Sequence, residues 1–233
     1  MFLPLKDDNP LAVIRFQWVT VPLALVLAGL FAWSATLPPG EDVGLYHSFG
    51  LIPAALFEGY RSELGSGDVP PLATLLTYLF VHGGWVHLGS NLLFLWIFGD
   101  NVEDATGHVR FALFFLLCGA AGGVLQAVVD PASRVPIVGA SGAISGVLGG
   151  YLMLHPRVRV LVLMFKLVPI RLPVFLLLPG WVLLQLAGMH VADGVATWAH
   201  VGGFLSGLVL IVPLRRRGIP LFDRGRTPGG LAT

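Results

Sequence analysis

A serine, two histidines and an asparagine stand out in a chain that is otherwise largely apolar. Ser141 and His200 are the residue types of a nucleophile and its general base, because a serine hydroxyl attacks a carbonyl only when a base removes its proton. His87 and Asn91 are four residues apart, so they share one helical face. Such side chains can donate hydrogen bonds to a developing oxyanion. The four residues therefore predict acyl transfer, provided that the fold brings them together.

The composition is that of a membrane protein. Hydrophobic residues make up 55% of the 233 positions and charged residues 12%, about half the charged share of typical soluble domains. The net charge of +1 and the lack of a basic stripe argue against nucleic-acid binding. The single cysteine, Cys118, excludes an intrachain disulfide and a CxxC metal site. We expect an all-α polytopic protein in a lipid bilayer, with no cofactor and no bound metal.

Six apolar segments approach the ~20 residues that cross a bilayer core. They are residues 16–37, 85–99, 111–129, 141–154, 172–190 and 198–214. The fourth segment is short and rich in glycine, so the predicted bundle has a short central fourth helix. The predicted domains are a cytoplasmic N-terminal segment (1–15), a six-helix membrane domain (16–214) with a long first outer loop (38–84), and a basic, mobile cytoplasmic tail (215–233).

The basic residues orient this bundle. With six helices, the side that holds both termini receives nearly all of the 14 Lys and Arg residues. Because basic residues concentrate in cytoplasmic loops, both termini are predicted to be cytoplasmic. The absence of a transit-like N-terminus favours a bacterial-type plasma membrane. Arg215-Arg216-Arg217 is interpreted as a membrane-anchoring flank, and Trp181 as one of several tryptophans in an interfacial aromatic belt.

Helix lengths place the polar residues at one depth. In this topology three polar residues each lie about 13–14 residues, or ~20 Å of helix, before the inner end of an inward-running helix. They are His87, Ser141 and His200. Glycines leave bare faces on the fourth and sixth helices, which favours close packing of the two. These glycines are Gly142, Gly146, Gly203 and Gly207. No acidic residue lies at that depth, so we predict a Ser–His dyad rather than a triad.

Three motifs follow one another along the chain. They are His82-Gly83-Gly84-Trp85-Val86-His87 with Asn91, then Gly139-Ala140-Ser141-Gly142, then Ala199-His200 with Gly203 and Gly207. In residue type, order and spacing, the chain resembles the rhomboid family of intramembrane serine proteases. The resemblance implies that Ser141 is the nucleophile and His200 the base. It further implies an oxyanion hole made by His87, Asn91 and the Ser141 backbone N–H, supported by His82, Gly139 and Gly142.

The resemblance also implies a fold and a substrate class. We expect a six-helix, rhomboid-like bundle that cleaves the transmembrane helices of single-pass or polytopic membrane proteins near their outer end. The substrate would enter laterally, past the fifth helix and the loop 188–197. The sequence indicates neither the particular substrate nor the oligomeric state.

Two positions depart from the family pattern. Many members carry a Trp-Arg pair in the first loop, where this chain has Ala73-Thr74. Some members place a tyrosine four residues after the catalytic serine, against the catalytic histidine, where this chain has Ser145. Other contacts must therefore anchor the first loop and orient His200.

Several other functions are considered. A catalytically inactive rhomboid-like protein that holds membrane clients is argued against by the presence of both Ser141 and His200. A small transporter or channel would need a polar path, but the inner halves at 94–98 and 208–212 are apolar. A metalloprotease would need HExxH, which is absent. The sequence at 65–68 matches the GxGD motif of intramembrane aspartyl proteases, but it lies in a polar loop. Zinc binding by His82, His87 and His200 is supported by no carboxylate or cysteine.

Overall fold

The computed structural model describes residues 2–164, 168–188 and 196–223. This part of the chain is mostly helical. Its helices are α1 (Thr20–Ser34), α2 (Glu41–Phe49), α3 (Pro53–Phe57), α4 (Thr74–Thr77), a 3-10 turn (Tyr78–Phe80), α5 (Trp85–Thr106), α6 (His108–Val129), α7 (Ser141–Leu154), α8 (Val174–Gly188) and α9 (Thr197–Leu214). Its strands are β1 (Phe2–Asp7), β2 (Arg159–Met164) and β3 (Val168–Pro173).

The six predicted spans correspond to α1 and α5–α9, with different ends. The fourth has the predicted bounds, whereas α1 is shorter than its segment and α5 continues past residue 99 through a polar, acidic end. Within the described ranges, α6 and α9 are both long and apolar enough to cross a membrane, and α1, α7 and α8 are shorter apolar helices. The number of membrane crossings therefore stays a prediction.

A small antiparallel sheet, in the order β1-β2-β3, corrects the all-α prediction. It joins the N-terminal segment to the connector between α7 and α8, with Leu3 opposite Leu163 and Arg159 opposite Pro173. Alternate residues of β2, among them Val160 and Val162, are fully buried, as the two-residue period of a strand requires. The apolar run was too short to distinguish a strand from a segment lying along the membrane surface.

The acidic end of α5 anchors the chain that leads into α1. Glu103 is completely buried. It accepts hydrogen bonds from the backbone N–H groups of Val19 and Thr20 and from the Thr20 hydroxyl, and it pairs with His108 Nδ1 at 2.6 Å. The next residue, Asp104, accepts from three successive N–H groups at residues 12–14. Burying a carboxylate without a partner would cost free energy. The hydrogen bonds from the segment before α1 therefore stabilise both carboxylates in their buried positions.

A partly buried carboxyl, that of Asp7, links the sheet to the end of α7 that is farther from Ser141. The Tyr151 hydroxyl on α7 donates to Asp7 Oδ2 at 2.5 Å, and Asn101 Nδ2 donates to the same oxygen at 3.2 Å. Burial raises the pKa of Asp7 from 3.8 to about 6, although the hydrogen bond from Tyr151 acts in the opposite direction. Protonation of Asp7 is therefore coupled to folding of this end of the molecule.

Candidate active site

Helices α7 and α9 pack through their backbones. A Cβ atom on Gly203 would overlap the carbonyl oxygen of Gly142, and one on Gly207 would overlap that of Gly146. Only glycine allows two helices to approach this closely, because any side chain would separate the two backbones. The four glycines singled out in the sequence thus form one interface, and this interface sets the distance between the first turns of the two helices.

Ser141 and His200 meet across this interface. Ser141 begins α7 and His200 lies in the first turn of α9. The distance from Ser141 Oγ to His200 Nε2 is 2.8 Å, which is a good hydrogen bond. For Nε2 to accept the hydroxyl proton, the neutral ring must carry its own proton on Nδ1. Nδ1 is buried and has no hydrogen-bond partner within the described residues.

Trp181 is the residue beside His200 that the sequence interpretation missed. Its ring, on α8, lies 5.8 Å from the imidazole centroid at an angle of 35°. Trp181 also lies near Phe94 of α5, with 6.3 Å between the ring centroids. Trp181 was assigned to the interfacial belt, but the structure packs it against the histidine. The hydroxyl of Ser145 instead donates to the carbonyl oxygen of Ser141, at 2.7 Å.

His87 and Asn91 lie beside the backbone that precedes the serine. Gly139 has φ of +116°, and a Cβ atom there would lie 2.5 Å from His87 Nε2 and 3.7 Å from Asn91 Nδ2. Glycine is required at this position both for its backbone conformation and for space. Asn91 is only 4% exposed, and its Nδ2 donor has no partner in the described chain. A buried, unused amide donor beside Gly139, two residues before Ser141, suits a group that stabilises an oxyanion.

His82 contacts His87 rather than Ser141 or His200. Its side chain is buried, and its ring centroid is 5.2 Å from that of His87. Neither ring nitrogen of His82 has a hydrogen-bond partner among the residues described. The structure therefore groups His82 with the predicted oxyanion residues.

Backbone hydrogen bonds anchor the first loop where the family's Trp-Arg pair is missing. Leu51 and Ile137 form an antiparallel bridge, in which each N–H donates to the other's carbonyl oxygen at 2.9 and 2.8 Å. Two residues later the N–H of Gly139 donates to the carbonyl oxygen of Tyr78, at 2.9 Å. The Tyr78 hydroxyl in turn donates to the carbonyl oxygen of Gly119 on α6. The first loop is thus hydrogen-bonded directly to the segment that leads into Ser141.

Gln126 is a second residue that the sequence interpretation missed. Its side-chain oxygen, on α6, accepts hydrogen bonds from the backbone N–H groups of Trp198 and Ala199, at 3.1 and 3.3 Å. These two groups belong to the first turn of α9, immediately before His200. The signal in the sequence was a single glutamine near the outer end of an apolar span, which could equally have faced solvent. Most of the predicted substrate-entry loop, residues 189–195, lies outside the described residues.

Together, the fold and the site define a mostly helical protein in which a serine at a helix start is paired with a histidine from a second helix. A family model described as "Rhomboid domain" matches residues 70–217, which is more than half of the chain. The chain therefore belongs to the rhomboid family. Members of this family are membrane proteins that act on membrane-protein substrates in the bilayer.

Curated relatives agree with this assignment. The chain is 33% identical to RHOMBOID-like protein 4 of Arabidopsis thaliana over 144 residues, 58% of this chain and 32% of the relative. It is 31% identical to Rhomboid protein 1, mitochondrial, of Saccharomyces cerevisiae over 135 residues, 56% of this chain and 38% of the relative. It is 44% identical to Rhomboid protease GluP of Bacillus subtilis over 78 residues, 34% of this chain and 15% of the relative. The aligned part spans well under half of each relative.

Proposed function

We propose that this protein is an intramembrane serine endopeptidase that cleaves the transmembrane helices of other membrane proteins near their outer end. The observation that carries the proposal is the 2.8 Å hydrogen bond between Ser141 Oγ and His200 Nε2. The two groups come from different helices whose spacing is fixed by glycine backbones. A relative with protease in its name, from Bacillus subtilis, supports the same function.

The proposed reaction follows from the positions of these atoms. Nε2 of His200 takes the hydroxyl proton as Ser141 Oγ attacks the substrate carbonyl carbon. Negative charge then develops on the carbonyl oxygen, where the Ser141 N–H at the start of α7 and the donors of His87 and Asn91 stabilise it. His200 returns the proton to the leaving amine, and an acyl-enzyme remains on Ser141. Water, deprotonated by His200, then attacks the ester carbonyl carbon. The bond from this carbon to Ser141 Oγ breaks, His200 returns the proton to Oγ, and the acid product leaves.

Trp181 is proposed as the positioning residue for His200. Without a carboxylate or other acceptor on Nδ1 among the described residues, the ring is held by packing and by its contact with Ser141. An indole ring against one face of the imidazole restricts its rotation, which keeps Nε2 directed at the hydroxyl. This contact replaces the tyrosine of some relatives, and it places α8 next to the catalytic base.

Lateral entry past α8 is the proposed substrate route. Helix α8 contacts α7 and α9 far less than those two helices contact each other. It also exposes a row of large apolar side chains, Phe175, Leu176, Leu183 and Leu184. A substrate helix in the bilayer would meet this surface first, and displacing α8 would disturb few contacts. Movement of the same helix would also shift Trp181, so entry and alignment of His200 are coupled.

The proposed topology has six spans, formed by α1 and α5–α9, with both termini cytoplasmic. The distribution of basic residues supports this orientation. The relatives named above include a mitochondrial and a bacterial protein, so they do not single out one membrane. A bacterial-type plasma membrane therefore stays a proposal.

Covalent labelling of the purified chain in detergent tests the proposal. A fluorophosphonate probe should label the wild type and should fail to label Ser141→Ala or His200→Ala. Ser206→Ala is the matched control, because this serine lies on α9 and its hydroxyl donates to the Gly203 carbonyl, away from the dyad. A folded wild type that is not labelled would instead favour the catalytically inactive, client-binding alternative, and ion or solute flux in vesicles would favour a transporter or channel.

A further inference from the structure

Four arginines and a histidine surround one cavity at the end of the bundle opposite the dyad. The cavity has a volume of about 710 Å³ and lies where α5 turns into α6 and where α9 ends. Its lining includes His108, Arg110, Arg215, Arg216 and Arg217. We propose that this cavity binds the phosphate of an acidic phospholipid, whose acyl chains lie along α6 in the bilayer.

The arginines of this cavity form no ion pair with another described residue, whereas its histidine, His108, is paired with Glu103. The described residues contain two ion pairs, His108–Glu103 and Arg171–Asp8, and neither involves a cavity arginine. Glu103, the acid at this end of α5, already accepts hydrogen bonds from Val19, Thr20 and His108. Several guanidinium groups that face one space without a counter-ion repel one another, so an anion bound between them would be favoured.

Arg216 is held in place with an unused donor. Its backbone N–H donates to the Ala105 carbonyl at 2.8 Å, and its guanidinium lies against Gly107, where a Cβ atom would come within 2.9 Å of Nη2. Its Nε atom is buried and has no hydrogen-bond partner in the described part of the chain. The planar guanidinium presents paired donors that match the oxygens of a phosphate. Nη1 of Arg110, also in the lining, donates to the Arg215 carbonyl oxygen at 3.4 Å.

The surroundings favour a lipid over free phosphate. Val109 lines the cavity and is 83% exposed, and Leu113 and Leu117 follow it at four-residue intervals on α6, also exposed. Residues four apart share a helical face, so an apolar row leads from the cavity along the helix. On the proposed topology the cavity lies at the cytoplasmic surface, where anionic headgroups attract arginines. Phosphate and apolar chain are thus accommodated side by side, as in a phospholipid.

Lipid binding to the full chain tests this proposal. The delipidated protein in detergent would be titrated with phosphatidylglycerol and with phosphatidylcholine of the same acyl chains, and bound lipid counted by native mass spectrometry. We expect tighter binding of phosphatidylglycerol. Each arginine removed should raise its Kd about fivefold, so Arg110→Gln/Arg216→Gln should raise it about 25-fold. The matched control is Arg157→Gln/Arg159→Gln, which removes two exposed arginines from the same predicted side and outside the cavity.

Three results would contradict binding of an acidic phospholipid at this cavity. Equal Kd values for the double variant and the control, or equal affinity for the two lipids, would overturn the proposal. Inorganic phosphate that binds alone and displaces phosphatidylglycerol would reassign the site to a soluble anion and overturn the lipid assignment. If Arg110→Gln/Arg216→Gln does not fold, Arg217→Gln tests the proposal instead, because this arginine is exposed. Its substitution should raise the Kd for phosphatidylglycerol about fivefold. None of these measurements depends on proteolytic activity.

Discussion

Gly203→Ala should nearly abolish the proposed serine protease activity without altering any group assigned to the proposed chemistry. The added Cβ atom would lie 2.8 Å from the Gly142 carbonyl carbon and closer still to its oxygen. Both are backbone atoms, so no side-chain rotation relieves the overlap. Ordinary van der Waals contact begins at 3.4 Å, so the contact with the carbon alone requires α7 and α9 to separate by about 0.6 Å. The oxygen is closer, so the full separation must be about 1 Å or more.

The separation acts directly on the dyad, because His200 lies three residues before Gly203 on α9. The distance from Ser141 Oγ to His200 Nε2 would grow from 2.8 Å by about 1 Å, beyond the length of a hydrogen bond. Misplacement on this scale lowers a rate by about 100-fold. The expected result is therefore a second-order rate constant for fluorophosphonate labelling about 100-fold below that of the wild type.

The matched control is Gly29→Ala. Gly29 lies in α1, and a Cβ atom there would have nothing within 4 Å. Thermal unfolding of both variants establishes that each is folded at the temperature of labelling. If folded Gly203→Ala reacts as fast as Gly29→Ala, the distance between α7 and α9 does not control the dyad, and the reasoning is refuted.

Three further predictions concern residues around the site and at the base of the bundle. Trp181→Ala should slow labelling about tenfold while Trp181→Phe retains most of the rate, because an aromatic ring would still restrict His200; equal loss in both would contradict a positioning role. Glu103→Ala should lower the free energy of unfolding by about 3 kcal/mol or more, since four donor groups lose their acceptor. Denaturant titration measures this against Glu103→Gln, which keeps one oxygen acceptor. The pKa of Asp7 is raised by burial from 3.8 to about 6, so the folded chain retains a proton there that the unfolded chain releases. Its stabilising contribution should be complete below pH 3.8 and lost as the pH rises through about 6. The melting temperature of Asp7→Asn should not show this pH dependence. If the melting temperatures of wild type and variant change identically with pH, Asp7 does not make this contribution.

The sequence predicts those parts of the site that depend on helical periodicity. The i, i+4 spacing of His87 and Asn91 and the glycine rows beside Ser141 and His200 follow from one helical period. These residues lie together in the structure at the ends of α5, α7 and α9. The bounds of α7 were also readable, because a proline follows His155 and prevents the helix from continuing.

Other features could not be read because they depend on which distant segments meet. The contact of Trp181 with His200 joins two helices whose relative rotation no local pattern specifies. The sheet pairs residues 2–7 with 159–164, which are far apart in sequence. The bridge between Leu51 and Ile137 is formed by backbone groups, which carry no residue signature. The acids at the end of α5 were visible, but the chain segment that they bind was not.

The backbone contact between α7 and α9 also limits how this molecule can move. Helices separated by side chains slide past one another in small shear steps, because rotamers can rearrange between them. The glycines of these two helices have no rotamers, so the pair has no alternative packing into which it can shift. The two helices should therefore behave as a single stiff block through the catalytic cycle. Opening for the proposed substrate must then be produced by the surrounding elements, while Ser141 and His200 keep their alignment throughout.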